Sequence, residues 1–243
     1  MRTATAQIER IAREFWATTH AEFRYNYDIV KVVESSLNVQ LIRMPQLSPK
    51  NITSWLSDHD MNIPLENNER NLHGALIIQN GAVLMFIDTT ENDTRQRYTL
   101  AHQVSHFLLD YQMPKERTIM TLGKEIAGVL KGNAEASVEQ LVQSAFNGMT
   151  DKVYTLFIEK DEAIPSENPA DSLALELLAP RYQIIHETAA KSILLSYAPF
   201  KRKCRELLIG KYRIPSEIAH KYASDLAGSV MNKSSFLSRL GIF

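Results

Sequence analysis

The sequence predicts an α+β fold: a small sheet packed with helices, followed by a helical C-terminal region. Three observations carry that reading. Two nearly continuous apolar runs, GALIIQ and AVLMFID, flank Asn80-Gly81, the strongest short-range hairpin signal. A strongly patterned helix, about Thr94 to Tyr111, follows the hairpin. Most of the remaining chain divides into helix-like stretches bounded by Pro, Gly and capping residues.

Taken in order, residues 1–24 read as helix because Ile8, Ile11, Ala12, Phe15 and Trp16 recur at helical spacing. YDIVKVVESSL continues as a second helix, and NVQLIRMP is a short strand stopped by Pro45. Ser48-Pro49 fits an N-cap followed by Pro at the first position of a helix running to Leu56. Because both hairpin runs are apolar at successive positions, both sheet faces should be covered. Pro114 is expected to end the helix after the hairpin. Between 115 and 165, KEIAGVL and EASVEQLVQSAF read as helical pieces and VYTLFI as a strand or extended segment. SENPADSLALELLAP is a further helix, with Ser166 as N-cap, Pro169 in the tolerant first turn and Pro180 as its stop. The remainder is helical, with a turn at 210–215 between CRELLIG and SEIAHKYASDLAG.

The 243 residues carry 44 % hydrophobic and 23 % charged side chains and a net charge of −1, which is globular composition. One cysteine, Cys204, rules out an intramolecular disulfide and fits a reducing compartment. No apolar run reaches the roughly 20 residues of a membrane helix, and the charged N-terminus does not read as a signal peptide, so a soluble cytoplasmic protein with no membrane partner is expected. Residues 181–243 carry a surplus of seven positive charges, eleven Lys/Arg against four Asp/Glu. A solvated helical tail explains that surplus, and contact with nucleic acid or an acidic partner through Lys201, Arg202 and Lys203 is the sharper alternative.

The chemistry concentrates in TLAHQVSHFLLD. His102 and His106 are four apart on a helix, so both imidazoles lie on one face and can reach one metal ion. Hydrogen-bonded core histidines are the bland reading of such a pair. Glu167 opens the helix whose apolar stripe is Ala170, Leu173, Ala174, Leu177 and Leu178. On that stripe it faces inward, which is costly for a carboxylate without a cation or hydrogen-bond donors; a solvated first-turn acid favoured by the helix dipole is the alternative. Asp171, one turn on, can accept the second ring N–H of a ligating histidine. Two His and one Glu leave a fourth position for water, the catalytic-zinc pattern. Arg95 and Arg97 read as surface charges at a helix start, and His73, His186 and His220 as histidines with no partner at ligand spacing. Cys204 lies among cations that would lower a thiol pKa, but reads as a structural thiol because no histidine base is in register.

RQRYTLAHQVSHFLLD and ENPADSLALELLAP, in that order and after NLHGALIIQNGAVLMFIDTT, resemble the ImmA/IrrE-type zinc metallopeptidases over about residues 25–180. The resemblance implies a zincin-like core over 1–180, with a helical insertion at about 113–165 in the roughly 60 residues between His106 and Glu167, and a basic helical region over 181–243. It implies zinc as the cofactor, held by His102, His106 and Glu167. The target would be a regulatory DNA-binding protein of repressor type, bound as an extra strand along the hairpin edge. Two positions depart from the family's pattern. Gln103 stands where the family has its general-base glutamate, and Pro169 replaces the second glutamate of an E-x-E-A-[ND] run. An amide cannot take a proton from a metal-bound water, so the implied endopeptidase has an alternative: an inactive, metal-binding pseudo-peptidase that serves as a peptide- or protein-binding module. Natural divergence, an exchange introduced to trap substrate, and a base supplied by another group are the three explanations of Gln103.

Overall fold

A computed structural model describes residues 2–19, 28–65, 68–79, 81–122, 154–160, 169–189 and 196–239. Packing divides the chain into two compact units: Ile29–Asp171, and Met1–Asp28 with Ser172–Phe243.

The first unit is built on a four-stranded mixed sheet in the order β1-β3-β2-β4. Strand β1 is Gln40–Met44, β2 is Leu72–Gln79, β3 is Ala82–Asp88 and β4 is Tyr154–Glu159. β2 and β3 form the expected hairpin, and Gly81 in its turn takes φ 79°, a left-handed conformation that glycine adopts without a Cβ penalty. β1 runs parallel to β3, whereas β4 pairs antiparallel with β2. Between Leu72 and Gly74 the β2–β4 register shifts, leaving a bulge at His73. Seven successive residues of β2 and β3 apiece are almost all buried, so both faces of the central strands are covered. On one side Ile52, Leu56 and Leu47 pack with Ile42, Ala75, Ile77, Leu84 and Phe86.

Three helices precede or flank the hairpin. α1 is Arg2–Thr18, in the second unit, and α2 is Ile29–Ser36. α3 is Pro49–Asp58, and its start follows the expected chemistry: Ser48 Oγ accepts the Asn51 N–H at 3.2 Å, with Pro49 at the first helical position.

α4, Asp93–His106, is capped by Asn92, whose Oδ1 accepts the Arg95 N–H at 2.9 Å. It does not end at Pro114. A π-helical turn, Phe107–Gln112, leads directly into α5, Met113–Leu122. Proline in α-register loses one ladder bond and clashes with the carbonyl four residues back. Here the Met113 N–H reaches back five residues to the Leu108 carbonyl, and the wider turn lets the chain pass Pro114. The π turn begins at the residue after His106, a placement often found at functional sites.

The expected peptide track along the hairpin edge is not available. β1 covers the free side of β3 and β4 covers that of β2, so the sheet's edges are β1 and β4. Sequence reading could not see this, because β4 arrives from 75 residues beyond its partner β2. The helical pieces expected at 124–130 and 135–146 lie outside the described residues.

The second unit is helical. α6 is Pro169–Leu178, entering this unit from Ser172; α7 is Arg181–Ala189, α8 is Tyr197–Gly210 and α9 is Ser216–Arg239. Ile11, Phe15 and Trp16 of α1 are buried, as are Leu173, Ala174, Leu177 and Leu178 of α6. α8 and α9 pack as a helical hairpin through Cys204, Leu208, Ile218, Ala219 and Tyr222, and Tyr212 in the turn is fully buried. The turn falls where Gly210–Pro215 places it, with Arg213 at φ 54°.

Candidate functional site

α4 is buried almost all round. From Tyr98 to His106 every residue is buried except His102 and His106, the two partly open positions. Leu100, Ala101 and Val104 have no exposure. Because the helix is locked on all other sides, the two imidazoles are presented in one fixed direction.

Their rings stack with centroids 4.8 Å apart and planes 14° from parallel. The two Nε2 atoms face each other at 2.9 Å. Each ring's other nitrogen meets a carboxylate. His106 Nδ1 lies 2.6 Å from Asp110 Oδ2, and His102 Nδ1 lies 3.2 Å from Asp171 Oδ1. An ionised carboxylate only accepts hydrogen bonds, so His106 Nδ1, hydrogen-bonded to Asp110, carries the hydrogen. The His106 Nε2 is then left with a lone pair aimed at His102 Nε2. A hydrogen on His102 Nε2 would satisfy that contact; with both hydrogens on Nδ1, the two lone pairs would face a shared cation instead. Burial first, and His106 second, push the His102 pKa down to about 3, so the ring is neutral and carries a single N–H.

Tyr98 completes this face. Its hydroxyl donates to Asp171 Oδ1 at 3.0 Å, and its ring meets His102 edge-on at 6.2 Å. Burial, then Asp171, raise the Tyr98 pKa well above 10, so the phenol keeps its proton and remains a donor. Sequence reading passed over Tyr98, although its place one turn before His102 was a usable signal. Of the residues singled out from sequence, the structure brings together His102, His106 and Asp171. Glu167 lies outside the described residues. Among the described residues no group of three or more His, Cys, Asp and Glu side chains is arranged to hold a metal ion.

Gln103 faces away from the histidine pair's open side. It is fully buried, and its Nε2 donates to the Phe86 carbonyl of β3 at 2.8 Å.

A second polar cluster lies at the opposite end of the hairpin strands from Asn80-Gly81. Asp88 has no exposure, and its Oδ1 accepts the Gln46 N–H at 3.0 Å and the Thr90 N–H and hydroxyl at 2.8 Å each. Lys160 Nζ reaches Asp88 Oδ2 at 2.7 Å and Glu91 Oε1 at 2.9 Å. Burial pulls the Asp88 pKa upward, but Lys160 and the Thr90 donors outweigh it and hold the carboxyl below its ordinary value. His73, which has no partner at ligand spacing in the sequence, lies with Nδ1 3.1 Å from Glu91 Oε1, and burial with nearby Arg95 lowers its pKa. Arg95 is not simply a surface charge: it is half-buried, and burial lowers its pKa. No local pattern announces this cluster, because Lys160 comes from the far end of β4.

In the helical unit Cys204 is fully buried, 3.6 Å from the Thr188 hydroxyl. Burial pushes its thiol pKa up, overturning the lowering expected from its cationic neighbours in sequence. Those cations point elsewhere: Arg202 and Arg205 are exposed and Lys201 and Lys203 half-buried on α8. No helix among the described residues is long and apolar enough to cross a membrane.

Compared with known proteins, the chain matches no protein-family model and no curated relative.

Proposed function

We infer that His102 and His106 hold a zinc ion, and that the chain is a metal-binding relative of the ImmA/IrrE-type peptidases that holds a peptide of a regulatory protein without cutting it at a peptidase's rate. One observation carries the metal: the two Nε2 atoms face each other at 2.9 Å, with a carboxylate oxygen 2.6 Å from His106 Nδ1 and another 3.2 Å from His102 Nδ1. Carboxylate behind imidazole is the usual outer arrangement at zinc, fixing the tautomer and raising the basicity of the ligand. Glu167 is the third ligand by resemblance, and its place just before α6 puts it four residues ahead of Asp171 in sequence.

Bound zinc would supply a Lewis acid for a carbonyl or water oxygen. The chain's own residues bear on the rest. Asp171 orients His102 and is itself held by the Tyr98 hydroxyl, while Asp110 orients His106. The amide at position 103 is turned onto the Phe86 carbonyl and cannot accept a proton from a bound water. Loss of a positioned acid–base costs about 10²–10⁴-fold in rate. A repressor-type DNA-binding protein as the partner follows from the resemblance, as does residence in the cytoplasm.

Metal analysis tests the ligand set. Protein purified without chelator, or reconstituted and then desalted, should carry about one equivalent of zinc. His102→Ala and His106→Ala should each lose it. Less than about a tenth of an equivalent after reconstitution would contradict the reading.

A further inference from the structure

We propose that Gln103 is a positioning residue for the histidine pair: its side-chain amide pins α4 to the backbone of β3, so position 103 demands a hydrogen-bond donor and a carboxylate there loosens the site instead of completing it. This rests on the reading of His102 and His106 as cation ligands.

The direction of the amide is fixed by chemistry. Nε2 donates to the Phe86 carbonyl at 2.8 Å, and turning the amide over would set oxygen against oxygen. Its place is fixed by space. A Cβ on Gly74 of β2 would lie 2.1 Å from Gln103 Nε2, 2.6 Å from Thr99 Cγ2 and 3.0 Å from the Phe86 oxygen. The amide therefore fills the room that Gly74 leaves, beside the bulge at His73, and bridges from α4 to the main chain of β3. Gln103 follows His102 by one residue and precedes His106 by three. A bond anchored there sets the rotation of α4 about its own axis, and that rotation decides where both Nε2 atoms point. Metal sites tolerate errors of only about 0.5 Å or 10–20° in ligand placement.

An ionised glutamate cannot take this role. An ionised carboxylate has no donor to offer the Phe86 carbonyl. The other amide atom, Oε1, is buried without a hydrogen-bond partner among the described residues, so a second carboxylate oxygen would also be buried unpaired. Gln103→Glu restores the letters of the peptidase motif without its function.

Cobalt(II) is the probe, because its visible absorption reports ligand geometry as well as occupancy. The full chain, Gln103→Met, Gln103→Glu, Gly74→Ala and a control, Leu56→Ala in the α3 core, are titrated with cobalt against a competing chelator. Hydrolysis of labelled casein is followed in parallel. The unmodified chain should bind cobalt. Gln103→Met keeps the volume and loses the bond; it should weaken binding by about 10–100-fold and alter the visible bands. Gly74→Ala, which displaces the amide without altering it, should do the same. Gln103→Glu should bind weakly and gain no hydrolysis. Leu56→Ala should lower the melting temperature but leave the spectrum intact, which separates positioning from general loss of stability. Should Gln103→Met fail to fold, Gly74→Ala alone decides. Wild-type affinity and spectrum in the Gln103 and Gly74 variants, or hydrolysis gained by Gln103→Glu, overturns the proposal while leaving the metal site standing. An unmodified chain that takes up no cobalt overturns the underlying reading instead.

Discussion

His102 and His106 differ in what holds their second nitrogen, and that difference separates their expected sensitivities. Asp110 is 43 % exposed and follows His106 by one helical turn, whereas Asp171 is 15 % exposed and comes from α6. Asp171 also takes the Tyr98 hydroxyl, so one carboxylate orients a ligand and is itself oriented. Asp171→Asn should reduce zinc affinity about tenfold or more, measured by chelator competition, and Asp110→Asn should reduce it less because water can replace an exposed carboxylate. The Asp88–Lys160 pair gives the pH dependence at this scale. The Asp88 pKa lies below its unfolded value, so its stabilisation is present above about pH 4 and is lost as pH falls through the folded value. The Lys160 pKa is raised against the opposing pull of burial, so its contribution is present below its unfolded value and lost at high pH. Lys160→Met, which leaves Asp88 buried beside its remaining donors, should cost about 3 kcal/mol in urea unfolding at pH 7 and much less near pH 3. A cost equal at both pH values would argue against the pair.

Elements were legible wherever a local rule set them. The hairpin was announced by Asn80-Gly81, α3 by Ser48-Pro49, and the α8–α9 turn by Gly210 and Pro215, and each occurs where its chemistry places it. The run through Pro114 was not legible, because proline's usual effect assumes α-register and the π turn changes the register just before it. Nor was the position of β4, since pairing between distant segments leaves no local trace. The histidine pair could be read because i, i+4 spacing is a property of one helix. The Gln103–Phe86 bond and the Asp88–Lys160 cluster join separate elements and leave no local pattern in the sequence. Where elements approach most closely, Gly74 is under α4. Gly74→Ala should therefore destabilise the protein by about 1–3 kcal/mol through crowding against Gln103 and Thr99, measured by denaturant unfolding. Neutrality there would mean that α4 can lift from the sheet.

At the scale of the whole molecule, the two compact units carry different chemistry. The sheet unit holds the histidine pair, while the helical unit holds a cavity of about 610 Å³ lined by α1 residues including Glu9, Arg13 and Trp16, and by Glu176, Pro180 and Tyr182. Burial raises the Glu176 pKa to about 7; the Arg181 N–H, donating to Oε2 at 3.0 Å, opposes that rise and Glu9 adds to it. A carboxyl whose folded pKa exceeds its unfolded value binds more protons in the folded state, so stability falls as pH rises from about 4.5 to about 7. Glu176→Gln should therefore stabilise the protein by about 2 kcal/mol at pH 8 and leave it unchanged near pH 4, in thermal or urea unfolding. The basic surplus of residues 181–243 is partly spent inside this unit, where Lys211 pairs with Glu187 at 2.6 Å. Nucleic-acid binding through Lys201, Arg202 and Lys203 remains a proposal from composition, and a loss of salt-sensitive affinity in the triple neutralised variant is its signature.

Zinc saturation should reach the whole molecule as well, raising stability by about 2.7 kcal/mol at a hundredfold excess over the dissociation constant. The most direct measurement remains crystallographic. An anomalous-scattering map recorded at the zinc edge, on crystals grown with zinc and no chelator, should show one strong peak bonded to the Nε2 atoms of His102 and His106. No peak there, with the two rings sharing a proton or turned apart, would contradict the account at its centre.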